Sequence, residues 1–295
     1  MKRKMLKGYV CVMVSAFIFG CMPLMAKNIY AEGVNPLSLV LYRNLFSVPV
    51  LALLAKCKGQ SLIISKKAIP SISILAVMGC CLAPVLLFVS YRYLASGTAT
   101  VFHFVYPAVV VFAEIIFLKG KIKPGNILSI AMCVAGICMF YVPGEPLNLF
   151  GSAVALLSGV AFAVYVVLLS SFKYKEISGF VFSFYVALIC SVIMLVLCLS
   201  SGQFTVPGSF RGWIMIFFFA VAINVGAVVL FQHGTFIIGG ERASILSTVE
   251  PITSVIIGVL VFHEIIVMRT VFGILLVISA SILIAVLDML DIKNK

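Results

Sequence analysis

Apolar runs of about twenty residues follow one another along almost the whole chain, and this is the length that an α-helix needs to cross a bilayer. Hydrophobic residues make up 63% of the 295 residues and charged residues only 10%. A soluble fold of this size cannot bury that much apolar surface. The sequence therefore predicts an all-α integral membrane protein.

Ten membrane spans are predicted, with ends placed to within several residues. We number them spans 1 to 10 in chain order, at residues 8–28, 36–56, 69–93, 97–118, 125–142, 150–171, 178–200, 212–235, 242–262 and 270–290. Gly, Pro, Lys and Ser cluster between them, which is typical of turns. No connection is long enough for a soluble domain, and the first run exceeds the apolar core of a signal peptide.

The basic residues predict an orientation in the membrane. A net charge of +12 does not indicate a nucleic-acid partner here, because Lys and Arg occupy short tracts between apolar runs and leave no folded basic surface. With both termini cytoplasmic, sixteen of the 21 Lys and Arg residues lie on the cytoplasmic side. The positive-inside rule thus predicts a multi-pass protein of the cytoplasmic membrane with both termini in the cytoplasm.

The cysteines do not indicate metal chemistry. All nine except Cys57 lie in apolar runs, and no CxxC or zinc-ligand spacing occurs. They are interpreted as small core residues. We expect no metal site, no cofactor and no catalytic group.

The two halves of the chain match each other at an offset of about 143–144 residues. The matched pairs are Gly8 with Gly151, Ser15 with Ser158, Phe19 with Phe162, Tyr42 with Tyr185, Tyr106 with Glu250, Pro107 with Pro251, and Gly136 with Ala280. Because each half has an odd number of spans, the second half enters the membrane from the opposite side. We predict two inverted five-helix repeats, residues 1–145 and 146–295, within one transmembrane domain, an arrangement typical of carriers with a midplane site.

Spans 4 and 9 each carry one polar stripe at helical spacing. The stripe of span 4 contains His103, Pro107, Val110 and Glu114, and that of span 9 contains Ala243, Ser247, Glu250, Ser254 and Gly258. Ionised groups in the hydrocarbon are costly unless they face a cavity or a partner. Glu250 and Glu114 are therefore predicted to line a central cavity, the alternative being that they bridge helices to Arg43 or His103.

Further residues complete the set of candidates. Pro107 and Pro251 loosen the backbone at matched positions and are predicted hinges. Tyr106 occupies the position of Glu250 in the other half, and Asn224 lies on the unusually polar span 8. The set of predicted substrate-binding residues is Glu250, Glu114, His103, Tyr106, Asn224, Ser247, Arg43 and Tyr165.

Three of these expectations have open alternatives. Arg43 fits either an ion pair or the lining of an outer vestibule. Tyr165 shares a face with Ser158 and Phe162, for which helix packing is the simpler interpretation. Spans 5 and 10 carry small residues that favour close packing, either as a scaffold or as a homodimer contact.

The sequence resembles the drug/metabolite transporter superfamily, and within it the EamA-type carriers with ten spans. The resemblance covers nearly the whole chain and is carried by Asn35-Pro36 with Arg43 behind them, by residues 99–107, and by residues 241–244 leading to Glu250. It implies a secondary carrier, often an exporter, with its cavity between spans 1, 3, 4, 6, 8 and 9. Glu264 fits the acidic turn that often ends the ninth span of such carriers, whereas Gly120 departs from it in the fourth.

The expected function is therefore secondary active transport of small organic metabolites, such as amino acids or related amine-bearing compounds, by alternating access, with export as the expected direction. No enzymatic activity is expected. The alternatives are a channel, a lipid-processing protein and a structural membrane protein.

Overall fold

The computed structural model describes residues 2–117, 124–139, 148–172, 177–247, 249–263 and 268–293, and every regular element in these ranges is helical. Spans 2, 5, 6, 7 and 10 are continuous helices at Pro36–Cys57, Pro124–Cys138, Leu149–Ser170, Gly179–Ser200 and Met268–Lys293. The other five spans are interrupted.

The interrupted spans consist of consecutive helical segments. Span 1 comprises Lys2–Gly20 and Met22–Ala31; span 3 comprises Lys66–Ala68, Ile69–Leu75, Ala76–Leu82 and Ala83–Ser90; span 4 comprises Ser96–His103 and Tyr106–Phe117; span 8 comprises Phe210–Ala220, Val221–Val228 and Val229–Ile238; span 9 comprises Gly240–Leu246 and Val249–Phe262.

Within the described ranges, seven helical stretches are long and apolar enough to cross a membrane, and shorter apolar helices occur in spans 4 and 10. Large apolar side chains such as Leu53, Val196, Leu199 and Leu260 are more than half exposed on these helices. Lipid accounts for such a surface, since soluble proteins rarely expose large apolar patches. The predicted all-α membrane fold with about ten spans in two inverted repeats is confirmed.

Local sequence explains where several spans begin. Asn35 precedes Pro36 at the start of span 2, and its side chain accepts a 2.8 Å hydrogen bond from the Ser38 amide. The Asn148 side chain accepts a bond of the same length from the Gly151 amide at the start of span 6. Each cap satisfies one of the amides that a helix start leaves without an intrahelical partner.

The helices pack in a pattern that the inverted repeat explains. Spans 2 and 7 pack together, as do spans 5 and 10, and each of these pairs joins a helix to its own repeat partner. Span 1 packs on spans 8 and 9, while span 6 packs on spans 3 and 4. Exchanging the two halves converts one set of contacts into the other, which is the signature of a pseudo-two-fold axis.

Spans 3 and 8 each contain a wide π-helical turn, at Ala76–Leu82 and Val221–Val228. The two turns occupy matching places in the two halves. A π-helical turn inserts extra backbone into an α-helix and is often found at functional sites. Neither turn was predicted from the sequence.

Spans 4 and 9 are broken into half-helices at matching places. Span 4 is interrupted at Phe104 and Val105, and span 9 after Leu246. Pro107 and Pro251 lie in the first turn of the second half-helix in each case, where a missing N–H costs least. The predicted hinge prolines thus lie beside real breaks, and their role in motion stays a prediction.

Spans 5 and 10 meet through their small faces within one chain. A Cβ atom added to Gly136 would lie 2.8 Å from the carbonyl oxygen of Gly273 and 2.8 Å from a methyl group of Val277. The small residues are thus accounted for by packing inside the chain. A homodimer through these two helices stays a prediction.

We expect Gly136→Leu to lower the free energy of unfolding by about 1–3 kcal/mol, because the larger side chain must separate spans 5 and 10. The measurement is the thermal unfolding midpoint of the purified protein in detergent. The exposed neighbour Ala135→Leu is the matched control on the same helix. Equal midpoints for the two variants would contradict the packing described for this pair.

Candidate functional site

The half-helices and π-helical turns surround a central cavity of about 40 Å³. Side chains from spans 1, 2, 3, 4, 6, 8 and 9 line it. This is the set of spans that the family resemblance implies, with span 2 added through Arg43. The repeat partners Phe19 and Phe162 both face this space, so the pseudo-two-fold relation extends into the cavity wall.

Most of the cavity wall is apolar. Phe19, Phe162, Phe231 and Leu87 supply rings and aliphatic groups from four different spans. The polar groups are few: Arg43, His103, Tyr165 and Glu250. An apolar cavity with a small number of placed polar groups is the usual form of a small-molecule site.

Glu250 lies in the first turn of the half-helix Val249–Phe262 and is only 4% exposed. No described group donates a hydrogen bond to its carboxylate, although the side chains of Tyr91 and Tyr106 lie near it. The positive end of the half-helix dipole is favourable for a negative charge at this position. The predicted cavity lining by Glu250 agrees with this placement, and no bridge to Arg43 or His103 forms.

Span 1 lies directly against the break that carries Glu250. A Cβ atom on Gly20 would lie 2.8 Å from the carbonyl oxygen of Glu250 and would overlap the Thr253 side chain. Span 6 lies in the same way against the other break, where a Cβ atom on Gly159 would overlap the carbonyl oxygen of His103. Glycine at these two positions lets a neighbouring helix cover each break.

His103 ends the first half-helix of span 4, and its Nδ1 atom lies 2.8 Å from Oγ of Ser158 on span 6. The Ser158 hydroxyl already donates to the carbonyl oxygen of Ala155 at 2.6 Å. It therefore accepts from His103, and Nδ1 carries the ring hydrogen of the neutral imidazole. The other ring nitrogen, Nε2, is then an acceptor that no described side chain engages.

Tyr165 extends its ring over Gly79 and its hydroxyl toward span 8. The amide of Gln232 donates to the Tyr165 oxygen at 3.1 Å, and the Ser183 hydroxyl donates to the Gln232 carbonyl. This chain of bonds links spans 6, 7 and 8. Because the Tyr165 oxygen accepts, its own hydrogen is available to a molecule in the cavity.

Arg43 is 2% exposed and lines the cavity from span 2. Its guanidinium carbon lies 5.7 Å from the centre of the Phe88 ring, and the Cys80 thiol lies beside it. The carbonyl oxygen of Arg43 accepts from the Ser47 hydroxyl and, at 3.1 Å, from the Asn224 amide. Arg43 thus belongs to the interior of the bundle rather than to an outer vestibule.

The other predicted residues surround the cavity without lining it. The Tyr106 ring packs on His103 and Phe162, with ring centres 5.6 and 4.9 Å apart, and its hydroxyl lies near Ser247 without hydrogen-bond geometry. The Ser247 hydroxyl donates to the carbonyl oxygen of Ala243 at the break of span 9. Both residues lie outside the set of side chains that line the cavity.

Asn224 lies in the π-helical turn of span 8 and borders a separate small void rather than the central cavity. Its amide donates to Arg43 and, at 2.9 Å, to the side chain of Asn44. Asn224 therefore positions Arg43. The side chain of Glu114 and the residues Gly120 and Glu264 lie outside the described part of the structure.

Sequence reasoning missed several residues of the site. Gln232 was not among the predicted residues, and it lies in the helical segment that directly follows the π-helical turn of span 8, from where it bonds to Tyr165. Phe88 and Cys80 look like ordinary core residues until Arg43 is placed beside them. In the described ranges, no three side chains of the metal-binding types converge.

The sequence profile of the EamA-like transporter family matches the chain twice, at residues 6–142 and 149–286. The "Uncharacterized inner membrane transporter YicL" of Salmonella typhimurium is 27% identical over 297 residues, which cover 95% of each protein. An "Uncharacterized transporter" of Clostridium kluyveri is 20% identical over 95% of this chain and 93% of its own. One solved crystal structure of a protein is similar in fold, with a TM-score of 0.68 and 16% sequence identity. The match covers 95% of this chain and 96% of that one. At this identity the similarity shows the fold alone.

We expect Gln232→Leu to lower the free energy of unfolding by about 1–3 kcal/mol, because the buried hydroxyls of Ser183 and Tyr165 lose their shared partner. The thermal unfolding midpoint in detergent measures the loss. The exposed Gln203→Leu is the matched control. A midpoint that falls equally in both variants, or in neither, would count against the buried chain of bonds.

Proposed function

The chain belongs to the EamA-like transporter family, and we propose that it is a secondary active carrier that exports small amine-bearing organic metabolites by alternating access. The observation that carries the proposal is the buried carboxylate of Glu250 at the break of span 9, which has no hydrogen-bond donor among the described residues and faces a cavity between two inverted halves. We place the boundary between the halves at residues 145 and 146.

Alternating access is supported by the symmetry of the helix contacts, since exchanging the two halves converts one set of contacts into the other. Because span 1 covers the break of span 9 and span 6 covers the break of span 4, the two halves can adopt each other's arrangement. A carrier with this symmetry opens its midplane site to one side and then to the other. The half-helices beside Pro107 and Pro251 are the segments that we expect to move, since they lack continuous backbone bonding.

Recognition of an amine is supported by the surroundings of Glu250. A buried carboxylate without a partner is costly in the hydrocarbon, so a cation or a proton is expected to neutralise it during the cycle. A protonated amine on the substrate fulfils this role directly. Exchange of a proton at the same carboxylate would couple export to the proton gradient.

Two other activities fit the described residues less well. A channel has no need of matched half-helices around a central cavity. A lipid-processing enzyme would require converging catalytic groups, whereas His103 lines the cavity, His233 borders a peripheral groove with Lys7 and Lys58, and His263 follows the end of span 9.

The proposed orientation follows the positive-inside rule, with both termini in the cytoplasm. Export as the direction is supported by the family resemblance. The largely apolar cavity is compatible with movement either way, so the direction is assigned by measurement of flux in each direction across the membrane.

The experiment that tests transport begins with a thermal-shift screen of the purified protein against small metabolites, weighted toward amines and amino acids. Every compound that stabilises the protein is then tested in proteoliposomes for counterflow against its own labelled form. We expect saturable counterflow for at least one stabilising amine. Flux that rises linearly with concentration would indicate a channel, and stabilisation without any movement would indicate a receptor or a structural protein.

Glu250→Gln should weaken the binding of the transported amine by about tenfold or more, because a neutral amide cannot replace a charge-assisted bond. It should also remove the pH dependence of transport that we expect for the wild type. Glu32→Gln is the matched control, because Glu32 lies in the loop after span 1, where one of its oxygens accepts from Ser209 at 2.6 Å. Unchanged affinity and unchanged pH dependence in Glu250→Gln would refute the assigned role.

A further inference from the structure

We infer that Arg43 is the anion-binding residue of the central cavity and that the transported molecules are zwitterions, with an anionic oxygen group on Arg43 and an amine on Glu250. The inference rests on the proposed transport function and deepens it. It assigns a second recognition group, on the opposite half of the protein from Glu250, and with it a narrower class of substrate.

The first support is the burial of Arg43 without a counter-charge. The side chain is 2% exposed, it faces the cavity, and no described carboxylate lies within ion-pair distance of it. Its Nε–H group has no hydrogen-bond acceptor among the described residues, and the Cys80 thiol lies beside the guanidinium. A guanidinium keeps its charge under all ordinary conditions, so its buried charge and its unsatisfied Nε–H call for an anion from elsewhere.

The second support is the way in which Arg43 is held in place. Ser47 and Asn224 both donate to its backbone carbonyl, and Phe88 presents a ring face to the guanidinium at 5.7 Å. A ring face offers partial compensation for the charge without using any of the N–H donors. The bonds to the carbonyl oxygen hold the backbone of Arg43 in span 2, and the unsatisfied Nε–H leaves one edge of the planar guanidinium available for a bond to a carboxylate.

The third support is the presence of both charges in one cavity. Arg43 lies on span 2 of the first half, and Glu250 lies on span 9 of the second. Both line the same space, and they do not contact each other. Most of the rest of the wall is apolar and includes Phe19, Phe162 and Phe231. A molecule with one charge of each sign and an apolar body satisfies all three features, whereas a simple amine leaves Arg43 unpaired.

The structural alternative is that Arg43 only braces spans 2, 3 and 8 through Phe88 and Asn224. In that case its replacement would weaken the binding of every ligand to the same extent, or would alter only stability. The anion-binding role predicts a different result. Replacement of Arg43 should lower the affinity for ligands that carry an anionic group and leave the affinity for ligands without one unchanged.

The test uses two sets of three probes that share an apolar body: L-leucine, isopentylamine and 4-methylpentanoate, and L-phenylalanine, phenethylamine and 3-phenylpropanoate. Each set contains the zwitterion, the amine alone and the carboxylate alone. Affinity is measured from the concentration dependence of the thermal shift for the wild type, Arg43→Gln, Arg43→Lys and Arg211→Gln, and transport is measured in proteoliposomes. Arg211 is exposed, so its variant controls for the loss of one positive charge.

For at least one set, we expect the wild type to bind the zwitterion about tenfold more tightly than the amine. Arg43→Gln should lose this preference and keep its affinity for the amine within about twofold, while Arg211→Gln should behave as the wild type. Arg43→Lys retains the charge but not the planar donors, so we expect an intermediate loss. It also serves as the decisive variant if Arg43→Gln does not fold.

Three results would overturn the inference. One is a wild type that binds the amines as tightly as the zwitterions, and another is an equal loss of amine and zwitterion affinity in both Arg43 variants. In either case, counterflow of the amines would leave the proposed transport function standing. The third is a wild type that neither binds nor moves any of the six probes or any compound of the wider screen, which would refute the transport function together with the inference.

Discussion

A backbone that lies in hydrocarbon must satisfy its polar groups inside the protein, and this constraint governs how spans 4 and 9 can be interrupted. Each break is covered by a neighbouring helix at a glycine, Gly159 against His103 and Gly20 against Glu250. A side chain at either glycine would overlap the groups beside the break and push the covering helix away. Both breaks border the central cavity, since His103 and Glu250 line it.

The two halves share a backbone plan and differ in their chemistry. Both have a π-helical turn in the third helix and a break in the fourth, and the repeat partners Phe19 and Phe162 face the same cavity. At the start of the second half-helix, however, the first half has Tyr106, packed behind the wall, and the second half has Glu250, facing the cavity. In the proposed alternating-access cycle, the symmetry of the scaffold provides two alternative arrangements, and the unequal residues are the ones proposed to give the site its charge and its selectivity.

The fold was largely predictable from three features of the sequence. The length of the apolar runs indicates the spans, the positions of the basic residues indicate their orientation, and the match between the two halves, with an odd number of spans in each, indicates the inversion. The position of Glu250 and Arg43 in the cavity wall was predictable as well, since a charged side chain within an apolar run is costly unless it faces a cavity or a partner. The π-helical turns were not, because they replace α-helical turns in sequences such as residues 221–228 that read as ordinary apolar helix. For the same reason Asn224 was predicted to face the cavity and instead holds Arg43, and Gln232 was overlooked. A wide turn changes which side chains share a face, and the regular spacing used for prediction does not include it.

The central claim is that one cavity faces the two sides of the membrane in turn, and Cys80 offers a native reporter because it lines that cavity. The measurement is the rate at which a membrane-impermeant maleimide modifies Cys80 from each side, in a transport-competent chain whose other eight cysteines are replaced. The account predicts modification from either side, with a substrate gradient that speeds one rate and slows the other. Modification from one side only under every gradient, or from both sides at rates that no gradient alters, would contradict it.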